Sequence, residues 1–127
     1  MNYRMEYPTK EEASRFTRDL TWDERFEVLS QGYHRGVVVD QCYSMNEFTT
    51  RVSLRNPKDP TGGVRSLNGG EVTKWLCEVV GDEELSKLLD KVFKQEVSMS
   101  EKMDIIRVIL NSRMNQYYEV LEEDDGR

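Results

Sequence analysis

The stretch from Ser98 to Leu121 constrains the fold more than any other, because it is long and contains no glycine or proline. Ser98 and Glu101 have the spacing of a capping box, which satisfies backbone N–H groups at a helix start. Its apolar residues recur at helical spacing: Met103, Ile106, Leu110, Met114, Tyr117 and Leu121. In the first half a second apolar set widens this face, which is typical of a helix covered on several sides. We therefore predict a central core helix here.

Length and composition point to one globular domain over residues 1–127. The chain has 37% hydrophobic and 33% charged residues and a formal charge of −6, and the negative excess lies in residues 68–127. Nucleic-acid binding depends mainly on neutralising phosphates, so an acidic chain is poorly suited to direct DNA or RNA binding. The N-terminus lacks the apolar run of a signal peptide, and no stretch reaches the roughly 20 apolar residues of a membrane span. We expect a cytoplasmic protein without membrane contact.

The first 32 residues predict a strand and two helices. Residues 2–7 alternate apolar and polar side chains and end at Pro8, which is typical of a short strand. Thr9 and Thr21 each begin a capping box, and apolar residues at helical spacing follow each of them. We predict two short helices that meet at a tight corner, the second of which should end at Gly32.

Residues 36–54 predict a β-hairpin. Three consecutive valines favour a strand over 36–43, because β-branched side chains suit strands better than helices. Residues 48–54 alternate strictly, which predicts a second strand paired antiparallel to the first through a turn at Ser44–Glu47. The alternative is a helix from Met45, since Ser44 and Glu47 also have the spacing of a capping box.

The second half of the chain predicts a loop and then three helices. The loop, residues 56–70, contains two prolines and two Gly-Gly pairs, and it is long for a compact domain. Apolar spacing predicts helices over Val72–Val80 and Leu85–Phe93, followed by the central helix. This helical half spans 68–122, after a mixed half that spans 1–67, and the acidic tail 123–127 should fray.

The predicted fold class follows from these elements: α+β and dominated by helices. A small antiparallel sheet formed by 2–7, 36–43 and 48–54 should be joined by two N-terminal helices and a C-terminal three-helix unit.

No residue pattern indicates catalysis. His34 is the single histidine of the chain, and no serine has the sequence context of a nucleophile elbow. The two cysteines, Cys42 and Cys77, lie too far apart for the usual metal-ligand spacing, so we interpret them as inert thiols. We predict no catalytic residues, no metal and no cofactor, and an enzyme is the last of our hypotheses.

The Gly-rich loop suggests an anion site. Gly69 and Gly70 precede a predicted helix, and free N–H groups at a helix start bind anions. Arg55 and Arg65 are close enough in sequence to hold a phosphate. The loop lacks the sequence of a P-loop, however, and Glu71 would repel a phosphate, so a simple connector is the competing interpretation.

The acidic helices could imitate a nucleic acid. The predicted helix after Gly81 begins with Asp82, Glu83 and Glu84, which excludes a DNA-recognition helix but suits a mimic of DNA. The pair Glu83 and Lys87 has the i,i+4 spacing of an ordinary solvated helix face, which is the simpler explanation.

Two further patterns suggest contacts with another protein. Arginines alternate with aromatic residues in the first half of the chain, a composition typical of interfaces and also of aromatics covered by arginine stems. The far end of the central helix carries more apolar side chains than one core stripe needs. The candidate interface residues are Met114, Tyr117, Tyr118, Val120 and Leu121. A homodimer or a partner helix could use them, unless the segment 2–7 covers them within the same chain.

These observations favour an interaction module over an enzyme. We expect a small acidic protein with an accessory, regulatory or inhibitory role, acting by binding another protein; a phage-type inhibitor of a host defence enzyme is one concrete version. The alternative is a nucleotide- or anion-binding domain that uses the Gly-rich loop.

Overall fold

Helices dominate the structure, a computed structural model that describes residues 3–32, 36–53 and 63–122. The elements in chain order are α1 (Lys10–Phe16), a 3₁₀ turn (Trp22–Glu24), β1 (Phe26–Gly32), β2 (Gly36–Cys42), α2 (Met45–Ser53), α3 (Gly69–Trp75) with a π-helical turn (Leu76–Val80), α4 (Glu83–Phe93) and α5 (Met99–Glu122). The predicted class, a helix-dominated α+β fold with a small antiparallel sheet and C-terminal helices, is confirmed.

The long helix α5 lies at the centre of the core, as predicted. Met103, Ile106, Ile109, Leu110 and Tyr117 are fully or almost fully buried. Helices α1, α2 and α4 all pack against α5. The Ser98 hydroxyl accepts a hydrogen bond from the Glu101 backbone N–H at 3.1 Å, so the predicted N-cap is present.

Helices α3 and α4 join through one left-handed residue. Gly81 has a φ of +94°, a conformation that glycine adopts without steric cost. Its N–H and the N–H of Asp82 both donate to the Leu76 carbonyl, at 2.8 and 3.0 Å. Asp82 then caps α4 by accepting from the Leu85 N–H at 3.1 Å. The predicted helices and the stop at Gly81 are therefore confirmed.

Strands β1 and β2 form an antiparallel hairpin in which Phe26 pairs with Cys42 and Gly32 with Gly36. One face of its base is buried, with Val28 and Cys42 against the core. Phe26 contacts Phe48 and Trp75, with ring centroids 5.4 and 5.0 Å apart. The hairpin is therefore anchored at its base, which leaves its distal half projecting.

Two predicted strands are wrong. The described part of 2–7 forms no strand, because its backbone bonds to side chains of α5 instead: Gln116 donates to the Met5 carbonyl and Arg113 to the Glu6 carbonyl. Residues 48–53 belong to helix α2, so the alternative helix from Met45 is correct. Ser44 accepts from the Glu47 N–H at 3.1 Å, so the capping signal there was real.

The second predicted helix is also wrong. Thr21 and Glu24 do form a capping box, but the helical turn ends at Glu24 and β1 begins at Phe26. The helix stops after a single turn because Phe26 and Val28 lie on one face of strand β1, which packs on the core, instead of continuing a helical apolar stripe. Strand β2 lies where a strand was predicted, and it pairs with β1 instead of with 48–54.

Some predictions fall outside the described residues. They concern most of the loop 56–70, the residues His34 and Arg55, and the tail 123–127. The described end of that loop runs from Gly63 to Asn68, and Gly69 and Gly70 already belong to α3.

Replacing Ile106 by aspartate tests the central position of α5. The side chain is completely buried, and an unpaired buried carboxylate costs several kcal/mol of a total stability of about 5–15 kcal/mol. We expect I106D to lose cooperative thermal unfolding in circular dichroism. The matched control is V108D on the same helix, where 68% of the valine is exposed, and it should unfold like the wild type. An unchanged midpoint in I106D would contradict the central role of α5.

Candidate functional site

The distal half of the hairpin exposes an apolar surface. Leu29 is 59% exposed, and Val37, Val38 and Val39 are 60%, 37% and 49% exposed. Leu29 pairs directly with Val39, so their side chains share a face, and Val37 lies two residues away on that face. We call Leu29, Val37 and Val39 the outer face of the hairpin. It lies opposite the face that carries Val28 and Cys42 into the core.

Polar side chains link this outer face to an exposed tryptophan. Glu27 accepts a hydrogen bond from the Gln41 amide at 2.8 Å, and Gln41 accepts from Arg25 Nε at 2.6 Å. The Cζ atom of Arg25 lies 3.6 Å from the centroid of the Trp22 ring, which is 61% exposed. The surface therefore combines an apolar centre, a hydrogen-bonded polar edge and an aromatic residue.

A second feature is a buried ionic network between α4 and α5. The two oxygens of Asp82 accept from Arg113 Nε and Nη2 at 2.8 and 2.9 Å, in a bidentate pair. The Tyr117 hydroxyl also donates to Asp82. All three residues are almost completely buried. We call Asp82, Arg113 and Tyr117 the buried triad.

Arg113 Nη1 extends the network beyond the buried triad. Arg113 Nη1 donates to the Glu6 carbonyl and to the Gln116 side chain, at 2.8 and 2.7 Å. Burial alone would lower the pKa of Arg113, but the hydrogen bonds and charge of Asp82 outweigh it and raise that pKa. Burial raises the pKa of Tyr117, and the charge of Asp82 adds to the effect. This network holds α4, α5 and the N-terminal segment together.

Two grooves open on the surface. One, of about 350 Å³, lies between β1 and α3 and is lined by Arg25, Glu27, Lys74 and Trp75 among others. The other, of about 710 Å³, lies between the N-terminal segment, α1 and α4 and reaches the buried triad. Its rim carries Glu12, Glu83 and Cys77. Neither groove contains a nucleophile paired with a base among the residues that line it.

The predicted anion-site residues have other roles where the structure describes them. A Cβ atom on Gly69 would lie 2.7 Å from the Phe93 ring, so close packing of α3 on α4 explains this glycine. The N–H of Glu71 donates to the Asn68 side chain at 3.0 Å, which caps α3. Gly70 and Arg65 are exposed, and Arg55 lies outside the described residues. The anion site stays a prediction, without support from these contacts.

The predicted interface on α5 is partly covered by the chain itself. Met114 and Tyr117 are buried, and Val120 and Leu121 are partly buried against the core. Tyr118 is exposed, and its hydroxyl donates to Asn46 at 3.1 Å. The N-terminal segment lies against this end of α5, where the Tyr7 hydroxyl donates to Glu119 at 2.6 Å. An interface here stays a prediction, with Tyr118 as its most accessible residue.

Neither the outer face nor the buried triad was predicted from the sequence. Arg113 lies between Leu110 and Tyr117 on the buried stripe, and a charge in that position was the available signal for a buried ion pair. Three consecutive valines predicted a strand, and nothing in that run indicated that the three side chains would be exposed. The described residues also contain no cluster of three or more His, Cys, Asp or Glu side chains suited to a metal ion. No helix among them is long and apolar enough to cross a membrane.

Truncating Asp82 to alanine tests the buried triad. Breaking a buried ion pair by removing one partner costs about 3–5 kcal/mol, because the other charge stays buried and unpaired. We expect D82A to lose this much stability in chemical denaturation. The matched control is D90A, which removes a surface pair with Lys94, and it should cost less than about 1 kcal/mol. Equal losses in the two variants would contradict a structural role for the triad.

Alkaline pH should destabilise the fold. Burial raises the pKa of the Cys42 thiol from its ordinary 9.0 to about 12, and Tyr117 also holds its proton more tightly when folded. Such groups stabilise the fold fully below their unfolded pKa and lose that contribution as the pH rises toward the folded pKa. The free energy of unfolding should therefore fall between pH 9 and 12. In chemical denaturation, the free energy of unfolding of C42A should fall less steeply with pH than that of the wild type. C77A changes an exposed thiol, so its free energy of unfolding should fall as in the wild type.

No protein-family model, curated protein or solved structure matches this chain. What the protein does must therefore be argued from its own residues and surfaces.

Proposed function

We propose that this protein is an interaction module, an accessory, regulatory or inhibitory protein that acts by binding another protein through its hairpin. One observation carries the proposal: the outer face exposes Leu29, Val37 and Val39 side by side on an otherwise highly charged chain. Contiguous apolar patches edged by polar groups are typical of protein–protein contacts, whereas single exposed apolar residues are not.

The residues around the outer face suit such a contact. Trp22 and Arg25 are residue types enriched at the energetic centres of interfaces, and they are already stacked before any partner arrives. Their stacking lowers the entropy that a partner would lose in ordering them. The hydrogen-bonded chain from Arg25 through Gln41 to Glu27 supplies the polar rim.

The position of the hairpin supports the same role. Its base is anchored by the aromatic contacts of Phe26 and by the Trp75 indole, which donates to the Glu24 carbonyl at 2.8 Å. The exposed half contributes little to the core, so its apolar residues have no evident structural purpose in the isolated chain. A partner that covers the outer face would remove that apolar surface from water.

Affinity capture from the native host tests the proposal. The double variant L29S/V39S removes apolar area from the outer face, whereas V108S removes a more exposed valine on α5. Both variants should keep the wild-type thermal midpoint, because surface substitutions usually change stability by less than about 0.5 kcal/mol. We expect mass spectrometry to find a partner with the wild type and with V108S, and at least about tenfold less of it with L29S/V39S. Equal recovery with all three proteins would contradict the proposal.

A further inference from the structure

The edge of β2 that faces away from β1 is open, and its distal part lacks the residues that usually prevent a sheet edge from pairing with another strand. Strand β2 pairs with β1 and with no third strand among the described residues. A strand at a sheet edge presents unpaired N–H and C=O groups, which natural proteins protect with charges, prolines or bulges. From Gly36 to Val39 the strand has none of these, and its register with β1 is continuous. It is also exposed over these four residues.

The edge of β1 is less accessible to an acidic partner. The groove beside β1 is lined by Glu27, Glu71 and Glu78, together with Arg25 and Lys74. The carboxylates outnumber the cations in this lining, so two copies that met along β1 would bring two net-negative grooves toward each other. Like charges in close approach oppose association, so β2 is the edge at which two such chains can meet.

We propose that a second copy of this chain pairs with β2, antiparallel, around a two-fold axis at Val38. A two-fold axis perpendicular to the sheet maps each residue onto the same residue of the second copy, on the same face of the sheet. Directly opposed residues also share a face, so the axis must pass midway between one residue and the same residue of the second copy. With the axis at Val38, Val37 of each copy lies opposite Val39 of the other. Centring it at Val39 would instead place Asp40 opposite Val38 of the second copy.

Charge explains why a second copy fits here. Each chain carries −6, yet the described parts of β1 and β2 contain only Glu27 and Asp40 as charged residues. Asp40 accepts a hydrogen bond from the Ser30 hydroxyl at 3.0 Å, on the face opposite the outer face. In the register centred on Val38, Asp40 lies opposite Gly36 of the other copy. No two like charges then face each other across the new strand pair.

The size of the contact sets its strength. A seven-residue strand is about 23 Å long, so one strand pair buries less surface than the roughly 800 Å² per partner of a stable interface. The dimer should therefore form reversibly with concentration. Pairing also turns two isolated hairpins, which are marginal in water, into one four-stranded sheet. The outer faces of both copies then lie on the same side of that sheet.

Replacing Val38 by aspartate or by lysine tests the pairing. The measurement is sedimentation velocity over a wide concentration range. The wild type should approach twice the chain mass of 14.9 kDa as its concentration rises. V38D and V38K should each stay monomeric, because two like charges would lie directly opposite each other. An equimolar mixture of V38D and V38K should associate again, since the opposed charges are then complementary. The control V108D should associate like the wild type.

Crosslinking tests the register independently. Residues directly opposite in an antiparallel pair have Cα atoms about 4.5–5.5 Å apart, within the roughly 4.4–6.8 Å that a disulfide spans. In a C77S background, which removes the exposed thiol, V38C should form an interchain disulfide under mild oxidation. V108C replaces a more exposed valine and is therefore more available to chance collisions, and it should remain largely monomeric.

Several results would overturn the proposal. A wild type that stays monomeric at the highest concentration excludes the dimer, and a dimer that persists in both V38D and V38K lies on another surface. Equal crosslinking of V38C and V108C would exclude the register. The strand pairing does not rest on the proposed function. V38D, which tests the pairing, leaves the outer face intact, and L29S/V39S, which tests the proposed function, leaves the backbone edge of β2 intact. Failure of the dimer proposal is therefore distinguishable from failure of the proposed function.

Discussion

The carboxylate of Asp82 is the group on which the packing of the helices depends. It caps α4 through the Leu85 N–H and receives both Arg113 and Tyr117 from α5. Through Arg113 it also fixes the Glu6 carbonyl of the N-terminal segment. Burying a carboxylate and a guanidinium is costly unless every hydrogen bond is made, so these contacts require one another. Three segments distant in sequence are thereby held in one arrangement.

The same principle recurs at the ends of other helices. Arg107 of α5 donates to the Val52 carbonyl near the end of α2, and Arg18 donates to the carbonyls of Val79 and Val80. Arg107 also donates to the Val64 carbonyl, which lies outside the helices. Lys102 donates to the Phe93 carbonyl at the end of α4. Cations suit these positions because the last carbonyls of a helix lack partners and carry partial negative charge. Arg18, one of the first-half arginines that suggested an interface in the sequence, thus has a structural role.

The sequence predicted the elements whose signals were local and redundant. Helices α3, α4 and α5 combine apolar spacing with a cap or a glycine stop, so several signals agreed. The errors arose where one local signal was compatible with two structures. Thr21 and Glu24 cap a single turn as readily as a helix, and residues 48–53 satisfy a strand alternation while Met45, Phe48 and Val52 satisfy a helical spacing. The pairing of β1 with β2 decides both cases, and the pattern of one segment does not show which other segment it contacts. The buried triad was missed for the same reason, since Asp82 and Arg113 are 31 residues apart.

The hairpin combines a buried base with an exposed distal half. Its base contributes Phe26, Val28 and Cys42 to the core, and Trp75 fixes the turn before it through the Glu24 carbonyl. The angle at which the hairpin leaves the core is therefore set by buried contacts, whereas the residues at its distal half contact mainly solvent. Substitutions at Leu29, Val38 or Val39 can then alter association without removing core contacts. An anchored arm also loses less entropy on binding than a flexible loop would, which supports our proposal that the hairpin contacts another chain.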